Sequence, residues 1–200
     1  MKKTILIPTL LLIISLFAVG CVPMQETMRT ALPIEPTRIS STIPTQPTKD
    51  RLEGERHYET DGGFSYVPPK GWEFFEVPGF KYLGLMDSSP TGEVSSNVVF
   101  VDERYTGSLK NYVEEALKVA KQVNPKFEVL SVDEVVTDSG IHGISVVEKN
   151  EFNGLQMMQV QFMFDLGEKK LVMTYTMNID EEPDNILAIG DVIDSLQFDD

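Results

Sequence analysis

The chain has 200 residues, 42% of them apolar and 24% charged, with a formal net charge of −14. That acidic balance works against nucleic-acid phosphates and anionic headgroups, so neither DNA nor RNA is an expected partner. A single cysteine, Cys21, excludes an intrachain disulfide framework and a cysteine-based zinc site.

Lys2 and Lys3 precede an apolar run from Ile5 to Ala18. A positive segment followed by a short apolar one is the layout of an export signal, and the run is shorter than the about 20 residues a membrane span needs. Residues 1–20 are therefore expected to be a signal peptide. Ala18-Val19-Gly20-Cys21 resembles the lipobox of bacterial lipoproteins. The resemblance implies lipid transfer to Cys21, cleavage between Gly20 and Cys21, and acylation of the new amino terminus. One acyl chain holds a membrane only marginally, whereas two or more anchor stably. The expected location is the cell membrane, lipid-anchored, with the folded part on the extracytoplasmic side.

Residues 21–56 read as the lipidated cysteine and a disordered linker. Prolines stand at 23, 33, 36, 44 and 47 and threonines at 27, 30, 37, 42, 45 and 48, with no aromatic residue between 22 and 52. Such a composition buries too little apolar surface to offset the entropy of ordering. In polyproline form, at about 3.1 Å per residue, the segment reaches on the order of 100 Å. It serves as a stalk or as a plain spacer. Seven of the 17 basic residues and five of the 31 acidic ones precede His57, which leaves 10 basic and 26 acidic residues downstream, a net of −16.

Residues 57–200 suffice for one domain. Short apolar runs at Phe64–Pro69, Glu73–Val77, Lys81–Met86, Ser96–Val101 and Phe127–Val136 read as strands. Ser108 caps a helix running to about Val123, with Leu109, Tyr112, Val113, Ala116, Ala120 and Val123 on one stripe, and Asn124-Pro125 ends it. Asn153-Gly154 marks a tight turn that pairs Val147 with Val160, Ser145 with Phe162 and Gly143 with Phe164. The other face of that pair carries Ile144–Met163 and Phe152–Leu155. The next hairpin, turning at 167–170, is expected to pair Leu166 with Leu171, Phe164 with Met173 and Phe162 with Tyr175, leaving Gln161–Thr176 and Gln159–Asn178 opposite. A second helix follows Pro183, with Ile186, Ile189, Ile193 and Leu196 on its stripe. A sheet apolar on both faces wants cover on both. The expected fold is α+β, an antiparallel β-sheet sandwiched between helices.

Gly63-Phe-Ser-Tyr-Val-Pro-Pro-Lys-Gly-Trp-Glu73 is similar to the opening strand and turn of the PsbP-like superfamily, which includes DcrB-like lipoproteins. Ser108–Lys118 stands where that family has a helix, and the helix closing in Ile193-Asp-Ser-Leu-Gln-Phe198 matches its tail. The resemblance covers about residues 63–198. It implies a PsbP-like α/β/α sandwich that docks on a larger assembly, with no activity common to the superfamily and no transferable metal ligands.

Little in the chain points to chemistry. Asp138, Ser139 and His142 imitate a triad in letters, but with glycines at 140 and 143 they read as a turn. Asp180, Glu182, Asp184 and Asp191 imitate calcium-loop spacing without its glycine or bidentate glutamate, and read instead as a helix start. Residues 171–200 hold eight acids and no Lys or Arg, so Asp180, Glu181, Glu182, Asp184, Asp191 and Asp194 form a candidate patch for a basic protein partner. Met158, Met173 and Met177 fall on the apolar face, and Met157 and Met163 on the other. No cofactor and no catalysis are expected. The leading expectation is a lipid-anchored, non-catalytic module for a protein partner or envelope complex. A small-ligand or metal carrier is the alternative, and a hydrolase comes third.

Overall fold

Ten strands and two helices follow one another in the computed structural model, which describes residues 52, 54–88, 95–152, 154–179 and 183–199. In chain order these are β1 (His57–Glu59), β2 (Phe64–Tyr66), β3 (Trp72–Phe75), β4 (Gly84–Asp87) and β5 (Asn97–Arg104). Then come α1 (Leu109–Val123), β6 (Glu128–Val136), β7 (His142–Phe152), β8 (Leu155–Leu166), β9 (Lys169–Asn178), α2 (Pro183–Asp194) and β10 (Gln197–Phe198). Seven strands form an antiparallel sheet in the order β3-β4-β5-β9-β8-β7-β6, and β1-β2-β10 form a small second sheet.

The alternation of side chains along β5, β7, β8 and β9 sorts the core into two layers. Phe100, Phe164, Leu171, Met173 and Tyr175 face one way and pack with Phe64 and Tyr66 of β2 and with Ile189, Val192, Ile193 and Leu196 from α2 and the residues after it. Val146, Met163 and Val172 face the other way and pack with Tyr112 and Val113 of α1. The architecture is predominantly antiparallel sheet with two helices.

Helix α1 begins where its sequence says it must. The Ser108 hydroxyl accepts a hydrogen bond from the Asn111 N–H at 3.2 Å, and Asn124 closes the last turn through its N–H to the Ala120 carbonyl. Tyr112, Val113, Ala116 and Ala120 are buried, whereas Val123 is exposed. In α2, Ala188, Ile189, Val192 and Ile193 are buried but Ile186 is exposed. The helical tail expected at 193–198 is in part a strand. The helix stops at Asp194, and Gln197 and Phe198 pair with Ser65 and Phe64.

The β7–β8 register is the expected one, with Gly143 opposite Phe164, Ser145 opposite Phe162 and Val147 opposite Val160. The β8–β9 register is not. Leu166 pairs with Lys169, Phe164 with Leu171, Phe162 with Met173 and Val160 with Tyr175, a slip of two residues that tightens the loop to Gly167-Glu168. A two-residue slip leaves every side chain on its expected face, so the apolar pattern cannot tell the two registers apart. Turn chemistry decides: Gly167 takes φ +74°, the left-handed conformation a two-residue hairpin loop favours. The slip also draws Lys170 into the ladder. Its fully buried Nζ donates to Asp165 Oδ1 at 2.8 Å, to the Gly167 carbonyl at 2.9 Å and to the Tyr105 carbonyl at 3.0 Å.

On the linker side of His57, the segment already touches the domain. Leu52 bridges to Pro69, and the Arg56 guanidinium donates to the Ser195 carbonyl at 2.7 Å.

Candidate functional site

Gly20 and Cys21, the expected cleavage and lipidation residues, lie outside the described residues, as do Asp180, Glu181 and Glu182 and the side chain of Asp184. Of the expected acidic patch, Asp191 and Asp194 are described, near the end of α2. Asp191 is buried. Burial, and then the neighbouring carboxylates of Asp138 and Asp191, push the Asp194 carboxyl above the ordinary range. Asp138 belongs to the turn between β6 and β7, which is held against the chain after α2 by the Ser139 hydroxyl donating to the Leu196 carbonyl at 2.7 Å. Asp194 of α2 thus lies near the carboxylate of a turn more than 50 residues earlier.

That same bond gives the Ser139 hydroxyl a structural partner. Its oxygen bonds both the Leu196 carbonyl and Thr137 Oγ1, the latter at 2.9 Å, and no bond joins it to His142 among the described residues. The methionines left over for soft-metal capture are also accounted for. Met157 and Met163 are fully buried, and Met163 packs between Val146 and Val172 beneath α1. Among the described residues no group of three or more His, Cys, Asp or Glu is placed to hold a metal ion. Also among them, no helix is long and apolar enough to cross a membrane.

The sheet face under α1 holds the most unusual electrostatics of the domain. Glu148, on β7, is 1% exposed. Gln161 Nε2 donates to Glu148 Oε1 at 3.0 Å, while Glu148 Oε2, Gln161 Oε1 and Thr174 Oγ1 have no hydrogen-bond partner among the described residues. Beside them runs a continuous amide ladder. Asn124 Nδ2 donates to Asn150 Oδ1 at 2.7 Å, Asn150 Nδ2 to Gln159 Oε1 at 2.6 Å, and Gln159 Nε2 to Thr176 Oγ1 at 2.9 Å. Burial pushes the Glu148 carboxyl up to about 8, against the smaller opposing effect of the Gln161 amide. At neutral pH it is a neutral acid, able to donate a proton in a hydrogen bond rather than attract a cation. Sequence reasoning did not single out Glu148, although a signal was present: it shares its face with Ile144 and Phe152, already marked as apolar.

A second ionic group tops the other face of the sheet. Asp102 Oδ2 accepts from Lys169 Nζ at 2.9 Å and lies 3.7 Å from Lys81 Nζ. Burial raises this carboxyl, but the Lys169 bond and the Lys81 charge outweigh it, and the net shift is downward. Both lysines are open to solvent, so the pair is a strut over the sheet more than a reactive centre.

No family model and no curated protein matches the chain. Solved structures do. LpqN of Mycobacterium tuberculosis, described as involved in cell envelope biogenesis, superposes with a TM-score of 0.55 at 14% identity, covering 73% of this chain and 90% of its own. Cyanobacterial PsbP (CyanoP) from Synechocystis superposes with a TM-score of 0.54 at 13% identity, covering 80% and 98%. A mutant of the protein Mog1 gives 0.53 at 14% identity, covering 74% and 97%. The domain has the PsbP-like fold. At such low identities the likeness concerns the fold alone.

Proposed function

We propose that the chain is a lipoprotein whose α/β/α sandwich, held away from an envelope membrane by the Pro/Thr linker, binds a protein partner or supports an envelope complex without catalysing a reaction. The observation that carries the anchor is the placement of the sole cysteine, Cys21, directly after Ala18-Val19-Gly20 and an apolar run preceded by two lysines. The binding role draws support from the net charge of −16 beyond residue 56 and from the PsbP-like fold, shared with a protein described as acting in cell envelope biogenesis. The serine and methionines that would serve an enzyme or a metal carrier are committed to structural bonds and packing.

Two measurements test it. Cys21→Ala should move the protein from the membrane fraction to the soluble one, and a variant that stays on the membrane refutes the anchor. Chemical cross-linking in intact membranes should trap a defined higher-mass complex that is lost at high salt, as an acidic surface requires. A chain that cross-links to nothing refutes the binding role.

A further inference from the structure

We propose that the free edge of β6 is a docking site for an extended, basic segment of a protein partner, which joins the seven-stranded sheet as an additional strand. The proposal rests on the partner-binding reading above and names its surface. The sheet order leaves two outer edges, β3 and β6. Strand β3 has four residues, whereas β6 runs for nine, from Glu128 to Val136. On its inner side β6 pairs with β7 along its length. Beyond that ladder, the only hydrogen bond to its backbone among the described residues is a 3.4 Å contact from Ser145 Oγ to the Asp133 carbonyl. An open strand of this length presents a row of N–H and C=O groups ready to pair with another chain.

Its side chains say which chain. Helix α1 packs chiefly over β7 and β8, and of β6 only Val129 packs against the cluster beneath it among the described residues. Leu130, Val132 and Val136 are 43%, 48% and 53% exposed, which places three of the nine exposed large apolar side chains among the described residues on one strand. Interleaved with them, Glu128, Asp133 and Glu134 are exposed, and β6 contains no Lys or Arg. The nearest cations stand at its start, where Lys149 lies opposite Glu128 and Lys126 is paired with Glu151. From Asp133 onward the charge is negative only. The strand then leads into Asp138, whose carboxylate adds to those of Asp191 and Asp194. A strand laid on this edge with alternating basic and apolar residues would meet Val132 and Val136 with its apolar side chains and Asp133, on the opposite face, with its basic ones, while Glu134, on the apolar face, adds to the negative field.

A second copy of the chain fits poorly. Two β6 strands paired antiparallel about Val132 would set the two copies' Asp133 two positions apart and their Glu134 four apart, adding like charge to two domains that each carry −16. The bulge between Val129 and Ser131 further interrupts a regular self-pairing.

Hydrogen exchange on the full-length chain tests the idea, with a nine-residue alternating Lys/Val peptide as the probe. A block peptide of the same composition and an alternating Glu/Val peptide serve as controls. The alternating Lys/Val peptide should slow exchange across 128–136, and the controls should not. The double variant Asp133→Lys/Glu134→Lys, at two exposed positions, should weaken that protection about tenfold in apparent affinity. Protection confined to α2, no protection at all, or equal protection by the block peptide overturns the edge proposal. So does protection of 128–136 that grows with protein concentration without peptide, which would make a second copy the occupant. The double variant also separates the two readings in membranes. A cross-linked complex that survives in it refutes the β6 edge while leaving the binding role intact, and a complex absent from the unsubstituted protein refutes both.

Discussion

Glu148 and Lys170 are both almost fully buried, yet their surroundings treat them oppositely. All three N–H groups of Lys170 find oxygen acceptors, from Asp165, Gly167 and Tyr105. Replacing it with methionine keeps the volume and strands those acceptors, so Lys170→Met should lower the unfolding free energy in urea by about 2–4 kcal/mol. Glu148 has one amide donor and one oxygen without a partner, and it keeps its proton up to about pH 8. The ordinary value for the unfolded chain is 4.5. Because the folded-state value is the higher one, this group's contribution to stability is fully present below pH 4.5 and is lost as the pH rises through 8. Glu148→Gln cannot ionise. It should therefore flatten that part of the stability–pH profile and be the more stable protein at pH 8, by on the order of 3 kcal/mol. Denaturation midpoints measured at pH 5 and pH 8 for both proteins check this, and an unchanged slope would refute the protonated state.

The two long hairpins show where pattern ends and turn chemistry begins. Asn153-Gly154 pinned β7 against β8 in the sequence, and the structure has that register. Between β8 and β9 the four residues Gly167–Lys170 offered no such dipeptide, and alternation alone was blind to a slip of two. Gly143 adds a steric condition to the β7–β8 pair. A Cβ placed there would come within 2.6 Å of the Phe164 ring and 2.8 Å of the Met163 carbonyl, so the aromatic lies over the bare backbone. Gly143→Val should therefore destabilise the sheet by several kcal/mol, about the cost of overpacking a closed core plus the displaced ring. Helix α1 depends on its cap in a milder way. Ser108→Ala removes the acceptor for the Asn111 N–H and should cost about 1 kcal/mol, seen as faster hydrogen exchange in the first turn of α1.

Beyond residue 56 the molecule carries 26 acidic and 10 basic residues, and that surplus acts on the domain as a body. Self-repulsion opposes compaction and is screened by salt, so raising sodium chloride to about 0.5 M should raise the urea midpoint. A midpoint that falls would mean that ion pairs such as Asp102 with Lys81 and Lys169 outweigh the net repulsion. The same surplus gives the outer edge of β6 its sign and sets it against a second copy of the chain.

The strands from β2 to β9, the two helices, the cap at Ser108, the turn at Asn153-Gly154 and the two apolar faces were legible along the chain, whereas β1 and β10 were not. Each depends on residues within a few positions of one another, where periodicity and backbone preference act directly. The burial of Glu148, the joining of Asp138 to Asp191 and Asp194, the pairing of Gln197 with Ser65 and the open edge of β6 were not. They arise from segments brought together across tens of residues, such as Ser139 against Leu196 and α1 chiefly over β7 and β8. No local pattern encodes which polar group a distant helix will cover or which strand it will leave bare, because that is set by the packing of the layers.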